Sequence, residues 1–290
     1  MLYNIFLKIN RMLKIHAPYL NLKYTLECWQ CFRRKNHGEY YTQILIDRVV
    51  KLRKNWDYLF VESDNDYHLK EVIYDYFDFY TDYQSVESEI SQIDDNIKKA
   101  VSNTSGLRIL NQNFFEIVIS YIISANNNIP RISKSIGKIS QIFGQKVIFE
   151  NQEYYLFPKP SLLQKASISD LQDCGVWYRA PYIIDTVSKF CEWKFDLDFS
   201  ESTEILRKEL LQFKWIWPKV ADCILLFSLQ KKESFPIDTR VEKVMNELYI
   251  HDKTDKNIKK DIQKYVKDNF WSYAWLIQEH LFYNKRMGRI

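Results

Sequence analysis

Glycine and proline are scarce in this chain of 290 residues, which contains six glycines and seven prolines. Few glycines leave little room for a phosphate-binding loop, and neither Gly-x-Gly-x-x-Gly nor Gly-x-x-x-x-Gly-Lys-Ser/Thr occurs. The sequence also lacks an apolar run of about 18 residues, the length that a membrane-spanning helix needs. Nucleotide-binding enzymes of these two kinds and helical membrane proteins are therefore excluded.

The cysteines are few and scattered, at positions 28, 31, 174, 191 and 223. An odd, scattered set predicts free thiols in a reducing cytoplasm rather than a disulfide framework. Cys28 and Cys31 form a Cys-x-x-Cys pair, but no second Cys/His pair with zinc-ligand spacing follows. The pair also lies in a strand-like pattern and not at a helix start, where a thiol is activated. We therefore predict neither a metal site nor a redox site.

The charge is unevenly distributed along the chain. Residues 61–95 carry eleven acidic side chains against the single base Lys70, a net charge of −10. Because the whole chain carries +4, the remainder carries 4 − (−10) = +14. A basic remainder permits a polyanionic partner such as nucleic acid, with the acidic segment facing away from it.

Two different periodicities predict an α+β architecture. Short runs rich in aromatic and β-branched residues between about residues 20 and 62 predict an antiparallel sheet. The first fifteen residues fit either a helical face or an edge strand. The predicted strands are LKYTLEC (22–28), QCFRR (30–34), EYYTQILI (39–46), DRVVKLRK (47–54) and YLFVES (58–63).

Beyond residue 67 the apolar spacing is helical and remains so. We expect an N-terminal antiparallel β domain with flanking helices over residues 1–98 and a larger all-helical domain over 99–290. Local signals support several helix ends. Pro130 and Pro218 fit first-turn positions, Asp238 fits an N-cap, and Gly144 and Gly175 fit helix ends.

Lys219 is unusual for a helix start because it directly follows Pro218, with Trp215 and Trp217 on the approach. The positive end of the helix dipole and the aromatic surroundings disfavour the ammonium form, which leaves an amine suited to nucleophilic attack. Asp238 follows 19 residues later, an interval that fits one helix, a turn and the next N-cap. The amine and the carboxylate are therefore expected to lie close together. Such a carboxylate caps its helix, and it can also accept a proton and stabilise a developing cation.

With Lys219, Asp238 and the VADC that follows the lysine, the chain resembles the helix-hairpin-helix DNA glycosylases, and in particular the 8-oxoguanine DNA glycosylase/lyase family. The resemblance implies that residues 99–290 form the helical glycosylase domain, with the helix-hairpin-helix element at about 205–230. Six blocks carry it in the family's order: TLECWQCFRR (25–34), GLRILNQNFFEIVISYIISANNNIPRI (106–132), GVWYRAPYI (175–183), PKVADCILLFSL (218–229), FPIDTR (235–240) and YAWLIQEHLFY (273–283).

The resemblance implies an enzyme that extrudes one nucleotide from double-stranded DNA and excises a modified base. Lys219 would attack the anomeric carbon, expel the base and form a Schiff base, after which β-elimination nicks the strand. Asp238 would assist the lysine and stabilise the oxocarbenium-like sugar. This mechanism needs no metal or cofactor. We expect a monomer that binds duplex DNA and no membrane, in the cytoplasm of a prokaryotic or phage-related source.

The same resemblance implies contacts with the DNA and with the extruded base. Asn126, in the triple Asn126–Asn128 loop with Asn127, would fill the gap that the base leaves. Arg131 and Arg179 would bond to the orphaned partner base, and Tyr178 would wedge the stack. In the base pocket, Cys223 would form a wall, Gln278 would read the Watson–Crick edge and Phe282 would stack on the base. Gln278 and Phe282 are four residues apart and share a helix face.

Three positions depart from the family pattern. Trp29 stands where members carry a glycine whose carbonyl detects 8-oxoguanine. Tryptophan avoids the backbone conformations open to glycine, so we expect its bulk to occupy or reshape the pocket. The hairpin reads Lys214-Trp-Ile-Trp-Pro218 in place of Pro-Gly-Val-Gly-x, so Lys214 or the indole groups are expected to replace glycine amides at a phosphate. Arg240 replaces a histidine and can hold a phosphate as a fixed cation.

These departures leave three functions open. The first is excision of 8-oxoguanine, the family's default. The second is excision of a different modified base, for example a hypermodified pyrimidine of phage DNA, in anti-phage defence. The third is a non-catalytic DNA-binding module that kept the fold and lost turnover, which retention of Lys219 and Asp238 disfavours.

Overall fold

The computed structural model describes residues 12–192, 197–251 and 257–290. An antiparallel sheet of five strands forms the N-terminal part, with spatial order β1-β5-β4-β3-β2. Of the first fifteen residues, those from Leu13 onward form its edge strand, which pairs Leu13 with Val61, and residues 1–11 lie outside the described residues. The strands are β1 Leu13–His16, β2 Arg34–Asn36, β3 Tyr41–Ile44, β4 Val49–Asn55 and β5 Tyr58–Ser63.

The segment LKYTLEC is a helix, so its prediction as a strand was wrong. Helix α1 spans Leu22–Glu27, and the Asn21 side chain caps it by accepting a hydrogen bond from the Tyr24 amide at 3.1 Å. Leu22, Thr25 and Leu26 are its buried residues, at i, i+3 and i+4. A run of seven residues is too short to distinguish the helical period from the strand period, and the Asn21 cap favours the helix.

Most of the remaining chain is helical, as predicted. The helix starts at Pro130, Pro218 and Asp238 are confirmed, as is the helix end at Gly144. No helix among the described residues is long and apolar enough to cross a membrane. The helices are α2 Leu69–Tyr76, α3 Tyr83–Ile90, α4 Asp95–Thr104, α5 Phe114–Ser124, α6 Ile129–Phe143, α7 Pro160–Leu163, α8 Ile168–Asp173, α9 Ala180–Cys191, α10 Thr203–Leu210, α11 Pro218–Leu229, α12 Thr239–Met245, α13 Ile258–Asn269 and α14 Ala274–Arg286.

A β-hairpin interrupts the helical part, so the prediction that helices continue without a break beyond residue 67 was wrong. Strands β6 Lys146–Phe149 and β7 Gln152–Tyr155 pair antiparallel. Glu150 and Asn151 form the two-residue turn with φ of +48° and +61°, the backbone that matches the twist of a hairpin. Neither periodicity develops over strands of four residues, so the sequence gives no clear signal for this hairpin.

Two clusters of buried apolar side chains form the core. The smaller lies under the sheet and joins it to α1 and α2, and the larger fills the space among the helices. A partly buried ion pair connects the two parts of the chain, since Arg33 Nη2 lies 2.6 Å from the Glu116 carboxylate on α5. Arg33 also donates to the Tyr155 carbonyl of the hairpin at 3.2 Å. This arginine thereby fixes the position of the loop 28–33 against the helices.

Candidate active site

A cleft of about 450 Å³ opens between the loop after α1, the C-terminal end of α5, the first turns of α11 and α12, and one face of α14. Pockets that accommodate small molecules have volumes of about 300 to 1,000 Å³, so an extruded base has room here. Nine of the residues predicted from the sequence line it. They are Trp29, Asn126, Asn127, Lys219, Cys223, Asp238, Arg240, Gln278 and Phe282.

Lys219 projects into this cleft from the first turn of α11. Its Nζ lies 4.9 Å from the centroid of the Tyr121 ring. In the described part of the chain, Lys219 forms no ion pair within 4.0 Å. The adjacent Asp222 is instead paired with Arg207 at 2.6 Å. The positive end of the α11 dipole points at this amine.

Asp238 is the N-cap of α12, as predicted. Its Oδ1 accepts the backbone amides of Arg240 at 2.9 Å and Val241 at 2.8 Å, and its Oδ2 lies 4.0 Å from the Arg240 guanidinium. The two helix starts line the same cleft, but within the described residues Lys219 and Asp238 do not form an ion pair. The structure thus brings both side chains to one cleft without a salt bridge between them among the described residues.

Buried polar side chains form the walls. Burial raises the pKa of the Cys223 thiol to about 12, against the opposing charge of Lys219, so Cys223 is a neutral wall. Gln278 is buried and donates through Nε2 to the Pro236 carbonyl at 3.3 Å. Its Oε1 has no hydrogen-bond partner among the described residues. Phe282 is half-buried one turn further along α14.

Trp29 corrects one expectation from the sequence. Its φ is +77°, so the tryptophan adopts the left-handed backbone that glycine favours. The indole lines the cleft, which retains a volume of about 450 Å³. It lies between two guanidinium groups, with Arg34 at 4.7 Å and Arg286 at 4.0 Å from the ring centroid. Each such cation–π contact stabilises by about 0.5 to 2 kcal/mol, which helps to offset the backbone strain.

The hairpin between α10 and α11 also places a tryptophan in the left-handed region. Trp215 has φ of +72°, and its ring lies 4.4 Å from Tyr182 and 5.9 Å from Tyr178. Trp217 packs edge-on against Trp215 at 6.1 Å and is 59% exposed. Lys214 is exposed beside them. The hairpin thus presents aromatic rings and one cation where members of the family carry glycines.

The DNA contacts predicted at the asparagine loop, in α6 and before α9 differ in their exposure. Asn126 is exposed with φ of +49°, and Arg131 is exposed in the first turn of α6. Tyr178 is 46% exposed. Arg179 differs, because it is 4% exposed and donates to the carbonyls of Ala125 and Asn126. Its guanidinium therefore positions the asparagine loop.

Reasoning from the sequence missed Glu279, Cys28 and Tyr121, which also line the cleft. Glu279 is a charged residue within the uncharged run 269–278 and 280–284, and this contrast was the available signal in the sequence. Over residues 12–192, 197–251 and 257–290, no group of three or more His, Cys, Asp and Glu side chains is arranged to hold a metal ion.

The antiparallel sheet, the helix-hairpin-helix element and the lysine at the cleft define a DNA glycosylase. Residues 12–118 match the model of the 8-oxoguanine DNA glycosylase N-terminal domain. Residues 119–268 match the model of the HhH-GPD superfamily of base excision DNA repair proteins. The chain belongs to the 8-oxoguanine DNA glycosylase family of this superfamily, whose members are N-glycosylases/DNA lyases.

Individual relatives agree with this family. A probable N-glycosylase/DNA lyase of Methanothermobacter thermautotrophicus is 32% identical over 219 residues, 67% of this chain and 68% of the relative. An N-glycosylase/DNA lyase of Arabidopsis thaliana is 27% identical over 93% of this chain and 78% of the relative. The solved 8-oxoguanine glycosylase/lyase of Clostridium acetobutylicum, in complex with DNA containing cytosine opposite 8-oxoguanine, has a TM-score of 0.89. It is 34% identical, and the match covers 96% of this chain and 98% of that one.

Proposed function

We propose that this protein excises a modified base from duplex DNA through a Schiff base on Lys219 and then cleaves the strand. The observation that carries the proposal is the cleft itself, which joins an amine at a helix start to the polar and aromatic walls of Cys223, Gln278 and Phe282. The Clostridium relative was solved with 8-oxoguanine opposite cytosine, which makes this pair the first substrate to test.

The chemistry follows from the position of the amine. As the Lys219 nitrogen forms its bond to the anomeric carbon, the bond to the base breaks, and the base leaves with the electron pair and takes up a proton. The ring-opened sugar forms an imine with the lysine. The imine withdraws electrons, so the 2′ proton is lost and the bond to the 3′ phosphate breaks. Asp238, fixed by its capping bonds, stabilises the cationic sugar.

The surface around the cleft supports a duplex substrate. Asn126 is exposed on the wall of the cleft, with a left-handed backbone that asparagine adopts readily, and its side chain would enter the DNA stack. Tyr178 and Arg131 are exposed and would wedge the stack and contact the opposite strand. Lys214 and Arg240 are exposed and would bind phosphates on either side of the extruded nucleotide.

Trp29 favours a second candidate substrate. Its indole is held between Arg34 and Arg286 at the position where the family's glycine reads 8-oxoguanine. A pyrimidine with a bulky substituent at C5 would occupy less of the cleft with its ring and could extend the substituent towards this stack. Such bases occur in hypermodified phage DNA, so the excision would serve defence in a prokaryotic cell.

The test is covalent trapping. The purified protein is incubated with borohydride and duplexes that carry 8-oxoguanine opposite cytosine, or a modified pyrimidine opposite guanine. Borohydride reduces the imine, so a shifted band reports the nucleophile and the substrate together, and Lys219→Gln is the control. A band with 8-oxoguanine identifies the family's default base, and a band with modified pyrimidines alone identifies the second candidate. A protein that binds every duplex and traps none is a non-catalytic module, which would refute the proposal.

A further inference from the structure

Glu279 is a buried carboxyl group that the lysine mechanism does not use. It follows Gln278 on α14, lines the cleft and is 3% exposed. Its Oε2 has no hydrogen-bond partner among the described residues. Glu279 also forms no ion pair within 4.0 Å among the described residues. A carboxyl group so placed is expensive for the fold, since an apolar side chain would fill the same space without a desolvation penalty.

Its surroundings hold the carboxyl in the neutral form. Burial raises the pKa of Glu279 to about 8, and the Asp238 carboxylate adds to the shift. The Cys28 thiol and the Lys219 ammonium oppose it. The other titratable groups that face the carboxyl across the cleft are Tyr121 and Cys223. Near neutral pH, Glu279 is therefore a hydrogen-bond donor as well as an acceptor.

Among the described residues, two polar atoms of neighbouring residues at the cleft thus lack hydrogen-bond partners, Gln278 Oε1 and Glu279 Oε2. Buried polar groups are nearly always hydrogen-bonded, and unpaired ones at a cavity are the groups that a ligand satisfies. The amide oxygen requires an N–H donor. The neutral carboxyl can donate to a carbonyl oxygen, from which a carboxylate would be repelled.

We propose that Glu279 is a specificity-determining residue that contacts the extruded base directly and donates a hydrogen bond to one of its carbonyl oxygens. This inference rests on the proposed function of the same cleft. Gln278 accepts an N–H of the base, so the pair selects a base that offers a donor and a carbonyl together. Both 8-oxoguanine and a C5-substituted cytosine offer them, and the test separates the two.

The experiment compares Glu279→Leu and Glu279→Gln with the parent on three duplexes. One carries 8-oxoguanine opposite cytosine, one carries 5-hydroxymethylcytosine opposite guanine, and one carries an abasic site. An abasic site has no base to contact, yet it still forms the Lys219 imine. Single-turnover rates of borohydride trapping are measured on each duplex, and KM and kcat are separated for excision.

We expect Glu279→Leu to trap the abasic duplex at the parent's rate and to lose about 10- to 100-fold in excision of the base that the parent removes, the usual effect of one base-edge contact. Glu279→Gln retains a donor and should lose less. The parent's excision rate should fall above about pH 8, where the carboxyl ionises, and this fall should be absent in Glu279→Gln.

Two results would overturn the contact. One is an unchanged excision rate in Glu279→Leu. The other is an equal loss on the abasic and base-containing duplexes, which would make Glu279 a structural residue. A parent that traps none of the three duplexes would refute the proposed function itself, and the contact with it. A loss confined to one modified base identifies which base the cleft reads.

Discussion

Replacing Glu279 by glutamine should change how the stability of the protein depends on pH. The folded state raises the pKa of this carboxyl from 4.5 to about 8 because it buries the group without an ion pair among the described residues. The folded state therefore binds the proton more tightly than the unfolded chain does. Protonation of the carboxyl therefore favours the folded state. By linkage, this contribution to the unfolding free energy is fully present below about pH 4.5 and is lost as the pH rises to about 8.

The expected magnitude follows from the two pKa values. Between pH 5 and pH 9, a group with these values destabilises the parent by about 4 kcal/mol relative to a side chain that does not titrate. The unfolding free energy of Glu279→Gln, measured relative to that of the parent, should therefore increase by about 4 kcal/mol from pH 5 to pH 9. Because every other group is common to both proteins, its contribution cancels in the comparison.

Urea unfolding at pH 5, 7 and 9 measures the difference in unfolding free energy between the two proteins. Glu39→Gln is the matched control, since Glu39 is exposed in a loop of the sheet, and its difference from the parent should stay constant. A difference between Glu279→Gln and the parent that is also constant from pH 5 to pH 9 would refute the reasoning. It would mean that the carboxyl is solvated or paired.

Three further predictions concern the helix start, the hairpin and the ion pair. Asp238→Asn should keep the cap and stay within about 0.5 kcal/mol of the parent in urea unfolding, whereas Asp238→Ala should lose about 1 kcal/mol. Both should slow borohydride trapping, and a normal rate in the asparagine variant would exclude a role for the charge. Trp215→Gly should weaken duplex binding in an equilibrium titration while unfolding changes by less than about 1 kcal/mol, because relief of positive φ offsets the lost contact with Tyr182; unchanged affinity would contradict a DNA contact by the hairpin. Arg33→Met should cost about 3 kcal/mol in urea unfolding, since it leaves the Glu116 carboxylate unpaired, and a cost below about 1 kcal/mol would show that water solvates Glu116.

Local signals made much of the site predictable from the sequence. Proline fixes the first turn of a helix and aspartate caps one, so Pro218 and Asp238 located the starts of α11 and α12 without knowledge of the fold. The resemblance then brought residues as distant as Trp29 and Phe282 to the same cleft. These residues could not have been joined by periodicity alone, because no local rule relates the loop after α1 to a helix at the end of the chain.

The helix α14 shows why Glu279 was missed. Ten of its 13 residues are buried, so the helix has no polar face from which an orientation can be inferred. Only the packing of α14 against its neighbours determines which of its side chains face the cleft. The prediction of a strand at LKYTLEC was wrong for a different reason. In so short a segment, the Asn21 cap stabilises a helix against the strand propensity of the residues.

Of the four tryptophans with positive φ among the described residues, two bear on the specificity of the site. Trp29 and Trp215 both stand where the resemblance places glycine, and both keep the backbone that glycine would adopt. A left-handed conformation costs a non-glycine residue about 1 to 2 kcal/mol, so a relaxed loop of another shape would have been the easier outcome. A left-handed backbone at both positions is what a main chain that meets the base and the phosphate would require. Any change in specificity then has to come from the side chains, which are the indole held by Arg34 and Arg286 at the cleft and the exposed rings at the hairpin.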